Sequence, residues 1–268
     1  MRDVNADLSG VASADATIRP FVTADASADA ASLQAQMAEH GHLFFRGLLP
    51  REDVLEARAE ALALCRDAGW IDPTAGPLEA RWSGHSPTPA DSGPEWLGFY
   101  TQWVKARAFN ALPEHPAVVA VAERLLGDAV LVHPRKIGRV GFPQNEGQQT
   151  PAHQDFFHVR GAVETYTAWV PLGDCPTGLG CLAVAEGTHK LGFREHEPSA
   201  GPGGYRVEAG DAAWRSQDFA AGDAVIFHSL TMHQALPNRT TDEVRVSLDN
   251  RYQRAGDDID PGALLPHA

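Results

Sequence analysis

Apolar positions in the first half of the chain recur at helical spacing. Leu33 and Met37 sit one turn apart, and Gly41 follows as a stop signal, which predicts a short helix. Leu43-Phe44-Phe45 is a compact apolar run ending at Gly47 and is read as a strand. Residues 51–68 predict an amphipathic helix with Leu55, Leu62 and Cys65 on one side and Gly69 as cap. Residues 115–126 predict another, with Pro116 in its first turn and Val118, Val119, Ala122 and Leu125 as the buried stripe. Between these two helices, residues 72–98 are rich in Pro, Gly and Ser and have no period. This segment carries Trp82 and Trp96, with Phe99, Tyr100 and Trp103 just after it, and is a candidate lid over a pocket.

From about residue 129 the pattern changes to short apolar runs punctuated by Gly and Pro. Strands are expected at 129–133, 136–142, 151–158, 165–171, 181–185, 223–228, 233–236 and 244–250. Many short strands with such turns predict a mainly β fold with flanking helices. Its core is a double-stranded β-helix, a cupin-like jelly roll of two antiparallel sheets face to face. The helical N-terminal region is expected to pack on the outside of one sheet. Residues 18–268 are read as one domain, and the small, polar residues 1–17 as a disordered segment.

Composition narrows the function classes. The formal net charge of −13 argues against nucleic acid or an anionic membrane surface as partner. No run of about 18 apolar residues predicts a membrane span, and residues 1–17 lack the regions of a signal peptide. The three cysteines, Cys65, Cys175 and Cys181, match neither zinc nor redox spacing, so reduced buried thiols in a cytoplasmic protein are expected. A monomer or a homodimer fits this composition.

The candidate chemistry lies in two short stretches. In a strand, residues two apart share a face, so His153 and Asp155 are expected to aim together into the barrel mouth with Gln154 pointing away. A third ligand from a neighbouring strand completes two histidines and one carboxylate, the facial set that holds non-haem Fe(II). Two histidines compete for that place. His228 has Arg239 eleven residues on, but Arg239 lies in the turn sequence Pro237-Asn238-Arg239-Thr240. His233 has Arg245 twelve residues on, in the alternating run Val244-Arg245-Val246-Ser247-Leu248-Asp249, and this pattern favours His233 with Arg245. His228 is then expected near the pocket without binding metal. A buried arginine needs an anionic partner. The far carboxylate of 2-oxoglutarate is one, with Ser247 on the same face as a further donor.

These motifs in this order resemble the phytanoyl-CoA dioxygenase family of Fe(II)- and 2-oxoglutarate-dependent oxygenases. The likeness runs from about Gly41 to Tyr252. It includes Gly41-His42-Leu43-Phe44-Phe45-Arg46-Gly47, Ala152-His153-Gln154-Asp155 and Thr167-Ala168-Trp169-Val170-Pro171-Leu172. It continues through Gly180-Cys181-Leu182, Glu186-Gly187-Thr188-His189-Lys190, Gly222-Asp223 and Phe227-His228, then His233 to Asn238 and Arg245. Ala185-Glu186 departs from the family's tendency to place Pro in this turn, a change that touches no ligand. The intact Asp155 argues against a halogenase.

The resemblance implies Fe(II) held by His153, Asp155 and His233, and 2-oxoglutarate anchored by Arg245 and Ser247. It also implies that a basic residue on the strand before the metal ligands contacts the co-substrate. Lys136 matches best, with Arg135 beside it, and Trp169 flanks the same pocket. His189 is read as part of a turn. The implied reaction joins O₂ and a small-molecule substrate, hydroxylating an unactivated C–H bond of a secondary metabolite. An acyl-CoA-type substrate, or a 2-oxoglutarate-independent cupin-type metalloenzyme, are the other readings. Segments 72–110 and 192–216 are expected to wall the substrate pocket.

Overall fold

The long last strand organises the molecule. In the computed structural model, which describes residues 18–88, 92–144 and 149–266, seventeen helices and strands follow one another. They are α1 (Ala30–His40), β1 (His42–Phe45), α2 (Arg51–Asp67), α3 (Pro94–Trp103), α4 (Arg107–Ala111), α5 (Pro116–Leu126), β2 (Val130–Val132), β3 (Ile137–Gly141) and α6 (Asp155–His158). Then come β4 (Thr165–Pro171), β5 (Leu182–Ala185), β6 (Glu197–Pro198), β7 (Tyr205–Arg206), β8 (Trp214–Arg215), β9 (Ala224–His228), β10 (His233–Ala235) and β11 (Arg245–Arg254). The expectation for residues 1–17 lies outside the described residues.

The main sheet runs β1-β9-β4-β11-β2, with β3 also paired to β11, and every pairing is antiparallel. A second sheet, β10-β5-β8, faces it. The strands at 165–171, 181–185, 223–228 and 233–236 form within one residue of their expected ends. Strand β11 extends to Arg254, past the expected end at residue 250, because its last residues pair with β2.

Side-chain alternation divides the main sheet into two faces. Val246, Leu248 and Tyr252 of β11, with Ala168 and Val170 of β4, pack against the helical layer through Leu33, Val54, Leu62 and Val121. On the other face, Trp169, Val225 and Phe227 meet Leu182 and Val184 of the second sheet. The helices therefore cover the outside of one sheet, as the sequence predicts, and the space between the sheets is left for the site.

Two helical expectations are refined. In α2 the buried residues are Val54, Ala57, Arg58, Ala61, Leu62 and Cys65, while Leu55 is only partly buried. Helices α3 and α4 form just after the aperiodic stretch, and Trp96, Phe99, Tyr100 and Trp103 are buried in α3. Trp70 stacks on Trp96 with ring centroids 6.0 Å apart, so these rings anchor the segment to the core. All three cysteines are free and buried.

Candidate metal centre

His153, Asp155 and His233 come together, with one ligand atom of each within 4.8 Å of the others. Their approach does not come from a strand over 151–158. His153 forms a single β-bridge with His233, each N–H donating to the other's carbonyl at 3.0 Å. The chain then turns, and Asp155 opens the four-residue helix α6. Gln154 causes the turn. Its side-chain amide donates to the carbonyls of Leu230 at 2.7 Å and Gly192 at 2.9 Å, and its oxygen accepts from Arg194 N–H at 2.8 Å. A fully buried amide so satisfied fixes the backbone as firmly as a sheet ladder.

Each histidine is oriented by a backbone carbonyl. Nδ1 of His153 lies 2.8 Å from Pro151 O, and Nδ1 of His233 lies 3.0 Å from Thr231 O. A proton on Nδ1 leaves Nε2 with its lone pair, the form that binds metal. Both Nε2 atoms face Oδ1 of Asp155, at 3.7 Å and 3.8 Å. Burial, reinforced by His153, pushes His233 down to about 3, so its imidazole is neutral at neutral pH.

The carboxylate is held at both oxygens. Arg251 donates to Oδ1 at 2.7 Å and Thr167 donates to Oδ2 at 2.5 Å. Arg251 and Thr167 are register partners across β11 and β4, so one cross-strand pair grips the ligand. Burial alone would raise the carboxyl of Asp155, but Arg251, with both histidines, holds it well below its ordinary range. Two imidazoles and one carboxylate gathered at a cavity fit a divalent iron ion and leave coordination positions open.

Arg245 lines a small cavity that His153 and His233 also line. It is buried, 7% exposed, and donates to Ser247 Oγ at 2.6 Å. Among the described residues it forms no ion pair. Burial pulls its pKa below the usual guanidinium range, the strain of a buried cation that lacks a carboxylate. Space for its head exists because Gly141 faces it across β3 and β11, where a Cβ would stand 3.1 Å from Nε and Nη2. A dicarboxylate that reaches from the triad to this guanidinium fits the donor set. Trp169 stands in the wall of the same cavity.

Lys136 is not brought to the site. Its ammonium donates to Glu114 at 2.6 Å and to the carbonyl of Asn110 at 2.9 Å, on the helical side. The physical reason is the pleat: on β3 the side chains of Ile137 and Arg139 face the cavities and Gly141 faces Arg245, and position 136 has the opposite parity. The basic residue of β3 that does line the cavity of Arg245, His153 and His233 is Arg139, paired through Nε with Asp249 Oδ2 at 2.6 Å. Arg139, Thr167, Arg251 and Gln154 were all missed in the sequence. Parity would have found Arg139, and continuing the β11 alternation past Asp249 would have found Arg251.

His228 accepts from Leu230 N–H at 3.0 Å and approaches Glu164 at 3.5 Å, and it lines neither cavity of the site. His189 bonds Ala38 O at 3.1 Å in its turn. A second cavity, of about 210 Å³, is lined by His153 and Asp155 and shares Arg139 and Thr150 with the first. Trp96 and Tyr100 of α3 and Gly203 belong to its wall, so both expected segments contribute to it.

Comparison with known proteins bears on this site. The family model described as phytanoyl-CoA dioxygenase (PhyH) matches residues 37–247. The chain is 29% identical over 244 residues to a 1-deoxypentalenic acid 11-beta-hydroxylase of Streptomyces exfoliatus, covering 85% of this chain and 82% of that one. It is 25% identical over 215 residues to the peroxisomal phytanoyl-CoA dioxygenase of Rattus norvegicus, covering 75% of this chain and 62% of the relative. In fold it is similar to the epimerase SnoN, solved with Fe3+, alpha ketoglutarate and nogalamycin RO, with a TM-score of 0.61, 24% identity and coverage of 87% and 86%.

Proposed function

The chain belongs to the phytanoyl-CoA dioxygenase family and is an iron(II)- and 2-oxoglutarate-dependent dioxygenase; we propose that it hydroxylates an unactivated C–H bond of a small metabolite, with the metal on His153, Asp155 and His233. Arg245 and Ser247 would take the far carboxylate of 2-oxoglutarate. One observation carries this reading. A buried guanidinium that forms no ion pair among the described residues lines the same small cavity as the imidazoles of His153 and His233.

Bound iron, with 2-oxoglutarate and O₂, supplies the oxidising power for C–H cleavage. The residues of this chain do the rest. Pro151 O and Thr231 O hold the imidazole protons on Nδ1. Arg251 and Thr167 fix the carboxylate so that it cannot swing away. Arg245 and Ser247 orient the co-substrate, and a fork of two N–H donors sets its plane. Trp169 and Phe227 give the cavity an apolar part of its wall. The cavity beside the triad receives the metabolite, and its modest volume favours a compact molecule over a thioester with a large headgroup.

The test is anaerobic addition of Fe(II) and then 2-oxoglutarate to the metal-free protein. A weak visible charge-transfer band of the chelated 2-oxo acid is expected. In Arg245→Ala the 2-oxoglutarate needed for half of that band should rise by about 10- to 100-fold, the loss of one charge-assisted pair. Iron binding without any band would remove 2-oxoglutarate from the account.

A further inference from the structure

The cavity beside the triad is cationic in a strongly anionic molecule. The chain carries 22 basic and 35 acidic residues, yet three guanidiniums, Arg135, Arg139 and Arg251, stand in this one wall. Asp155 is the single carboxylate among the described residues that line it. The lining also has an apolar part, with Trp96, Val159, the ring of Tyr100 and Ile137, which stands between Arg135 and Arg139 on the same face.

The three arginines are not equally engaged. Arg139 pairs with Asp249 at 2.6 Å, and Arg251 pairs with Asp155 at 2.7 Å while its Nε and Nη1 remain buried without partners. Arg135 has only the carbonyl of Gly262, 3.1 Å from its Nη1, and among the described residues it forms no ion pair. Its backbone is tied down as well, since its N–H donates to Ala263 O at 3.1 Å. The guanidinium is thus pre-positioned and left without an anion.

Counting the enclosed charges shows what is missing. Arg135, Arg139, Arg245 and Arg251 face the two cavities, against Asp155 and Asp249. Two positive charges are left over. Divalent iron and the 2-oxoglutarate dianion cancel each other, so loading the site leaves that excess in place. An excess of positive charge along a partly buried wall attracts an anion, and a bound anion compensates it.

We propose that the primary substrate is a compact, apolar carboxylic acid, with its carboxylate on Arg135 and its hydrocarbon body between Trp96, Tyr100 and Ile137. This rests on the reading of the triad as an iron centre. Arg139 and Arg251 are committed to protein carboxylates, so they supply a positive field and Arg135 makes the direct pair. The apolar part of the lining holds the body of the acid beside His153 and Asp155, where the oxidised carbon must lie. A cavity of about 210 Å³ sits below the roughly 300–1,000 Å³ typical of drug-sized ligands, which sets the size class.

The experiment uses matched pairs: adamantane-1-carboxylic acid, cyclohexaneacetic acid and 4-phenylbutanoic acid, each beside its primary amide. Acid and amide have nearly the same shape and differ in charge. Binding is measured by calorimetry on the anaerobic Fe(II)–2-oxoglutarate complex and again on the metal-free protein. The expected result is at least one acid binding tenfold or more tighter than its amide. Arg135→Gln should abolish that preference and leave the visible 2-oxoglutarate band unchanged, while Arg135→Lys, which keeps the charge, should retain most of it. Amides as tight as acids, no acid binding at about 1 mM, or a preference that survives in Arg135→Gln would each overturn the proposal. Loss of the band with the acid preference intact would sink the iron reading instead, so the two failures are separable.

Discussion

Asp155 shows how much rests on single side chains. It is the only anionic member of the triad, and it also neutralises Arg251 in a space where both are almost wholly buried. Removing it therefore has two consequences. Asp155→Ala should leave the purified protein with little bound iron and no turnover, since the remaining two imidazoles form an incomplete set. It should also lower stability by about 3–5 kcal/mol, because Arg251 is left as a buried charge without its partner. Iron content and the thermal midpoint of the metal-free protein check the two separately. Full turnover in this variant would remove Asp155 from the metal site.

At the level of elements, β11 is the scaffold of the site. Arg245, Ser247, Asp249 and Arg251 occupy alternate positions on its inner face, while Val246, Leu248 and Tyr252 anchor its outer face under the helices. One strand thus carries Arg245, the proposed co-substrate anchor, at one end and Arg251, which grips Asp155, at the other. Its neighbour β3 must stay clear of the anchor, which is why position 141 has no side chain. Gly141→Ala would place a methyl 3.1 Å from the Arg245 guanidinium. The expected effect is a rise in the KM for 2-oxoglutarate of about tenfold with little loss of fold, corresponding to a modest overpacking penalty. Steady-state succinate release against 2-oxoglutarate concentration measures it. An unchanged KM would show that Arg245 has slack the geometry does not suggest.

For the molecule as a whole, buried neutral histidines set the response to acid. Burial pushes His42 and His133 down to about 4, as it does His233 to about 3. Their unfolded value is about 6.5, so between these values the unfolded chain holds more protons than the folded one. The stability they contribute is intact above about pH 6.5 and falls as pH drops toward 4. At pH 5 one such histidine costs about 2 kcal/mol. The thermal midpoint of the metal-free protein should therefore fall steadily from pH 7 to pH 5, and His42→Gln should flatten that slope. A flat profile in the unaltered protein would contradict the burial of these rings as charged-state penalties.

The sequence by itself determined most of the elements and singled out the three residues, His153, Asp155 and His233, that the fold brings together. Short apolar runs punctuated by Gly and Pro located β4, β5, β9 and β10, and period-2 alternation located the start of β11 and favours His233 with Arg245 over His228 with Arg239, because alternation reports which side of a sheet a residue faces. Glycine after an apolar stripe marked the end of α1 at Gly41. What only the tertiary structure decided is where the chain leaves that period. His153-Gln154-Asp155 reads as a strand, but the buried amide of Gln154 bonds three distant backbone groups and turns the chain into α6. Lys136 reads as the basic residue of the pocket, but the register of β3 against β11 gives that place to Arg139 and sends Lys136 to Glu114. The same pairing of β11 with β4 sets Arg251 beside Thr167 around Asp155. Local pattern fixes which face a side chain takes once an element exists. Which residues meet across elements depends on register and on long-range hydrogen bonds, and those have no signature within a few residues of sequence.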